Sequence, residues 1–359
     1  MNRSRYWFIA ALSMLLVWMP IPPAPSVNAA LPALGTGLPA RTAQEIAAQW
    51  KKLMHPTADF TSPYASAPSA RHPYAPGSLK AEYIQDGLNA VNYYRFISGL
   101  PYDLTATAKM NKQAQYGSVL LAAEDDFSHT PAKPANMSKS FYTAGYASTT
   151  TANIYAYYGK EEHILSRAVD AYMEDSDIYN LSVVGHRRWI LNPRLQQIGF
   201  GQASNDKRWT YSVLQVFDQS RAKPIAYNYV AYPAQGDFPI NRFGPNDAWS
   251  VSLNMDKFKA PVKSAVTVTL VRVKDKKTWK LSAKHGKVAE TGNYFNVETN
   301  GYGSGTAIIF RPGGIAEYKE DDRYQVTIQG LRLKSGAAQK LAYTVHFVDA
   351  DKSGIIETE

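Results

Sequence analysis

The sequence predicts an α+β chain, with a domain of mixed helices and strands in the middle and an all-β domain after it. Three observations carry this expectation. Between Ile84 and Met173 apolar residues recur three and four positions apart, as on one face of a helix. From Trp209 onward the pattern changes to short runs of β-branched and aromatic residues divided by turn-rich sequence. The chain is also 359 residues long, more than one hydrophobic core usually supports.

The N-terminus is the first element to justify. Arg3 and Arg5 precede an apolar run from Tyr6 to Pro20, and Val27-Asn28-Ala29 supplies small residues for cleavage, so residues 1–29 are expected to be a signal peptide. The apolar run is shorter than the roughly 20 residues a membrane-spanning helix needs. It also breaks at Pro20, Pro22, Pro23 and Pro25. No other segment is apolar for long enough, so no transmembrane segment is expected in the mature chain. The expected location is secreted, with attachment to the cell wall. Absence of cysteine leaves packing alone to hold the exported chain together. A net charge of +9 favours anionic partners such as a wall or other envelope polymer. Nucleic acid is not expected, because no helix clusters Lys and Arg and no groove-like interleaving of aromatic and basic residues is visible.

Residues 30–77 are expected to form a linker, rich in Pro, Ala and Ser, with a short helix around Gln44–Leu53 that puts Ile46, Ala47 and Trp50 on one face. The first domain, 78–222, opens with a helix through Ile84, Leu88, Val91 and Arg95 that stops at Gly99-Leu100-Pro101. A second helix is expected from about Leu104 to Ala123. A third covers about 161–174, where Ile164, Leu165, Ala168, Val169, Tyr172 and Met173 make one stripe. Gly185–Leu191 follows a short loop and ends before Pro193, and Trp209–Phe217 reads as a strand. In the second domain, 223–348, a connector leads into seven short strand-like runs, as in an antiparallel, Ig-like β-sandwich. Residues 349–359 are expected to be a polar tail. Asp349 to Glu357 imitates the start of an EF-hand calcium loop but lacks its twelfth position.

Several short strings in the first domain follow one another in a known order. They are Leu88-Asn89-Ala90-Val91-Asn92-Tyr93-Tyr94-Arg95, Gly99-Leu100-Pro101, Phe127-Ser128-His129-Thr130-Pro131, Asn153-Ile154, Gly185-His186-Arg187-Arg188-Trp189-Ile190-Leu191-Asn192-Pro193 and Ile198-Gly199-Phe200-Gly201. Together, over roughly 80–218, they resemble the bacterial members of the CAP superfamily, the cysteine-rich secretory, antigen and pathogenesis-related proteins. The resemblance implies an α/β/α sandwich around an antiparallel sheet, with a groove lined by two histidines and two acids.

By that resemblance His129 and His186 are the histidine pair, Asn153 lies in the cavity, and Asp175, with Glu174 as the neighbouring alternative, takes one acidic position. The other acidic position holds Ala152. A methyl group cannot coordinate a metal or accept a proton, which argues against any hydrolytic mechanism that needs both carboxylates. Two neutral imidazoles can still ligate a divalent cation such as Zn²⁺, and His129 and His186 are the candidate metal ligands. They can equally be hydrogen-bonded residues that tie two loops and bind nothing. No catalytic residue is assigned. Asn92 and Arg95 read as architecture, Trp189 as core, and His55, His72, His163, His285 and His346 as solvent-facing or packing residues.

The expected function is therefore binding of a ligand or partner in a histidine-lined groove by a secreted envelope protein, without catalysis. Two alternatives stand beside it. One is a divalent-metal-dependent hydrolase of peptide or wall substrate, which needs a replacement acid from Glu124, Asp125, Asp126, Glu161 or Glu162. The other is capture of a small apolar ligand, a lipid or sterol.

Overall fold

In the computed structural model, residues 32–159 and 162–350 are described. The expected signal peptide, Glu161 and the chain beyond Ala350 lie outside the described residues. Six helices are present among those described: α1 (Ala43–Leu53), α2 (Ala81–Ile97), α3 (Ala108–Glu124), α4 (Lys139–Thr149), α5 (Ile164–Glu174) and α6 (Gly185–Ile190). Thr42, Thr107 and Ser138 cap α1, α3 and α4 by accepting from the backbone N–H three residues on. Helix α4 is an addition to the helices expected from the sequence.

Four strands form the central sheet, in the order Thr105–Ala106, Gln197–Ser204, Trp209–Gln215, Ala152–Tyr158. The last three pair antiparallel, and the short first strand joins in parallel. Side chains alternate between the faces, as the strand period requires. Ile198, Phe200 and Leu214 join the core that holds α2 and α5, whereas Ala203, Tyr211, Val213 and Ile154 join the core of α3 and α4. The result is an α/β/α sandwich. On the α3 side the gap is set by glycine: a Cβ at Gly201 would stand 2.3 Å from the backbone of Ala114.

The segment expected as linker is tied in at several points. Ala33–Leu34 pairs in parallel with Ala338–Val348, helix α1 buries Ile46 and Ala47, and Asp86 of α2 accepts from the N–H groups of Thr57 and Ala58.

Beyond residue 223 all seven expected runs are strands, and so are Tyr229–Tyr232, inside the connector expected over 223–236, and Gly236–Pro239, which starts at its end. They make two sheets. One runs Tyr294–Glu298, Ala307–Arg311, Trp249–Leu253, Tyr229–Tyr232. The other holds Thr278–Ser282, Thr267–Arg272, Arg323–Arg332 and Ala338–Val348, the last flanked by the parallel additions Ala33–Leu34 and Gly236–Pro239. Aromatic rings fill the space between the sheets, with Trp249 within about 6 Å of Phe243, Phe310, Tyr318, Tyr324 and Phe347.

Buried arginines brace the first region from within and against the second. Arg95 donates to the carbonyls of Pro101, Ile190 and Asn192, each at 2.8 Å. Arg187 donates to Met173 and Glu174 within the first region and to Ala248 in the second, with its guanidinium 4.7 Å over the Tyr232 ring. Arg188 donates to the carbonyls of Asn300, Ser304 and Gly305. All three are at most 1% exposed. The Arg187-Arg188 pair is thus internal and forms no basic surface. Asn92 is architectural too, exchanging hydrogen bonds with the backbone of Leu104.

Candidate functional site

His129 lies on the loop after α3, and its Nδ1 donates to the Thr149 carbonyl at 2.7 Å while the Thr149 hydroxyl donates back to the His129 carbonyl at 3.0 Å. The exchange fixes the ring and leaves Nε2 as its open nitrogen. His186 sits in the first turn of α6, where its Nδ1 donates to Asp175 Oδ1 at 2.7 Å. Asp175 ends α5 in a left-handed conformation, φ 45°, which turns its buried carboxylate towards α6. Its second oxygen accepts from the Arg187 N–H at 3.1 Å. Tyr172 stacks on the far side of the imidazole with centroids 5.2 Å apart. Burial opposes a charge on His186, but Asp175 and then Asp177 outweigh it and hold its pKa above the ordinary histidine value.

Both imidazoles open into one cleft of about 390 Å³. Asn153 also lines it and donates from Nδ2 to the His186 carbonyl at 3.1 Å. Asp175 does not; it stands behind His186. Glu174 points into a separate depression beside Tyr94, Arg242 and Asp247. Ala152 lines the cleft, and no Asp, Glu, Lys or Arg does so among the described residues. Glu124 and Asp125 line another depression with Arg71 and Lys207, where Asp125 accepts from Lys207, Asn205 and Tyr211, and Glu162 lines a third. Asp126 is exposed and lines none of these depressions.

Residues 88–217 match the family model of the cysteine-rich secretory protein family, CAP. This stretch is similar to a CAP domain. No curated protein matches the chain.

The CAP cleft contains residues that the motif reading missed. Trp189, expected in the core, is half-buried and stacks on Phe217 at 3.7 Å and 16° to form a flat aromatic wall. Tyr179, 84% exposed, stands on the rim. Tyr302 reaches in from the all-β region, on the loop between Tyr294–Glu298 and Ala307–Arg311. The signal for it was the alternation Gly301-Tyr302-Gly303-Ser304-Gly305, one large ring among glycines. Two other histidines also have acidic neighbours. His163 is stacked on Tyr83 with Nε2 3.4 Å from Asp86, and His346 bridges Asp237 and Asp321 at 2.7 and 3.3 Å.

As a metal centre the CAP cleft is short of donors. Catalytic zinc sites combine three protein ligands with a water. Among the described residues no group of three His, Asp or Glu side chains is placed to hold a metal ion.

Proposed function

We propose that this chain is a secreted, envelope-associated CAP-domain protein that binds a ligand in the histidine-lined cleft and performs no chemistry on it. The observation that supports binding over hydrolysis is the lining: two imidazoles anchored through Nδ1, Ala152 at the second acidic position, and, among the described residues, no carboxylate facing the space. An imidazole can accept a proton, but a hydrolysis that needs paired carboxylates finds none on the cleft walls among the described residues. The net charge of +9 supports long-range attraction to anionic wall polymer, and the all-β region, read as an Ig-like module, fits a docking role.

The test is retention of the full chain on isolated cell-wall material, with His129→Gln and Trp189→Ala variants measured in parallel. Affinity should fall about 10-fold in each variant, equivalent to about 1.4 kcal/mol. Variants retained like the parent would remove the cleft from the binding reaction. Soluble products accumulating from the wall material, and lost in His129→Gln, would establish a hydrolase instead.

A further inference from the structure

We propose that the cleft takes an uncharged saccharide ring, and that Tyr302 is the residue that determines this specificity. The inference rests on the ligand-binding reading above and adds the chemical class of the ligand.

The walls combine two kinds of surface. The parallel Trp189–Phe217 pair and Tyr302 offer aromatic faces, while Asn153, Asn180 and the imidazoles offer hydrogen-bonding groups. A charged ligand would find no Lys, Arg, Asp or Glu on the walls to answer it among the described residues, and Asp175 already answers His186 from behind. A purely apolar ligand would cover the amides and imidazoles without replacing their bonds to water, and each group left unpaired weakens binding. A neutral sugar ring satisfies both surfaces: its C–H faces stack on aromatic rings and its hydroxyls exchange hydrogen bonds with amide and imidazole. Asn153 and Asn180 each commit Nδ2 within the protein, to His186 and Asp177, so their side-chain oxygens are the acceptors that remain. The volume of about 390 Å³ sits near the lower end for small-molecule sites, which suits a short saccharide.

Tyr302 is built into its place. A Cβ on Gly185 would come within 2.7 Å of its ring, and one on Gly303, whose φ is +75°, within 2.6 Å of Trp189. The Arg188 guanidinium lies 5.0 Å from the Tyr302 centroid and donates to carbonyls on both sides of it, Asn300 and Ser304. The loop is therefore seated on α6 from both flanks. A preorganised ring gives more selectivity per contact than one that must be ordered on binding.

The experiment is calorimetric titration of the full chain with four probes: tri-N-acetylchitotriose, maltotriose, trigalacturonate and palmitate. At least one neutral trisaccharide should bind saturably, and more tightly than trigalacturonate or palmitate. Tyr302→Ala should weaken it about 10-fold and Tyr302→Phe by less than about 3-fold, since the stacking face is kept. Phe217→Ala, which removes part of the aromatic wall, should also weaken it, and near-ultraviolet circular dichroism checks that each variant is folded. Palmitate or trigalacturonate binding better than both neutral probes overturns the saccharide class. A folded Tyr302→Ala with parental affinity overturns the role of Tyr302. Both results leave the ligand-binding reading standing if wall retention still depends on His129 and Trp189; if it does not, that reading fails by itself.

Discussion

His186 Nδ1 and Asp175 Oδ1 stand 2.7 Å apart, and the aspartate that makes this contact is also the left-handed residue that ends α5. One residue therefore sets both the turn between two helices and the orientation of a cleft imidazole.

Replacing Asp175 by Asn should lower the His186 pKa, because the main charge that offsets its burial is gone. An NMR titration of the imidazole reads this directly. Stability follows the same linkage. A histidine whose folded pKa lies above its unfolded value contributes fully below about 6.5 and loses that contribution as pH rises through the folded value. Urea midpoints of the parent and His186→Gln should differ most at the acidic end of a series from about pH 5.5 to 8.5. A difference that widens towards alkaline pH contradicts the assignment.

Asp247 shifts stability in the same direction with pH, for a different reason. It is 6% exposed, and burial pushes its pKa up to about 6, with Glu174 and Asp175 adding to the effect. The fold favours its protonated form, so stability should decline between about pH 4 and pH 6 and stay lower above that range. Asp247→Asn keeps an oxygen for the Gly244 N–H that the carboxylate now accepts, at 2.6 Å. It should be more stable than the parent at neutral pH by about 1–3 kcal/mol and equal to it near pH 4. Denaturant melts at the two pH values settle the matter.

Arg188→Met should cost more than about 2 kcal/mol, because three carbonyls lose a charged donor inside the protein. Chemical denaturation gives the magnitude. Proteolysis should then cut near Asn300–Gly305, where the loop has lost its anchor.

Gly201→Ala should destabilise by about 3 kcal/mol, at the upper end for overpacking, since the new methyl would meet the α3 backbone rather than a flexible side chain. Gly301→Ala is the control: a Cβ there has nothing within 4 Å. Similar losses in both would mean that α3 does not approach the sheet so closely.

Removing divalent cations with a chelator should leave the melting temperature within about 1 °C, as expected when two imidazoles and, among the described residues, no carboxylate face the cleft. A larger drop that disappears in His129→Gln would restore a metal to the site.

The parts that could be read from the sequence are those with local periodicity. The stripe from Ile164 to Met173 and the seven β runs depend on neighbours a few residues away, and they appear where expected. The family strings marked His129 and His186, which line one cleft. What the sequence could not show is set by distant partners. Two adjacent arginines find their partners, Ala248 and the carbonyls of Asn300 and Ser304, from 61 to 116 positions away. Trp189 read as core because Trp-Ile-Leu is apolar, yet only Ile190 and Leu191 are buried with it left half-open. Tyr302 carried no motif, and its role depends on a loop docking across the junction.

The parallel pairing of Ala33–Leu34 with Lys340–Leu341 spans nearly the whole chain, and Gln339 donates to the Pro32 carbonyl across 307 positions. A growing polypeptide cannot close this seam until its last strand has been synthesised. Folding that stops short of the final strand leaves the opening segment without its sheet partner, so shortening either end should release the other.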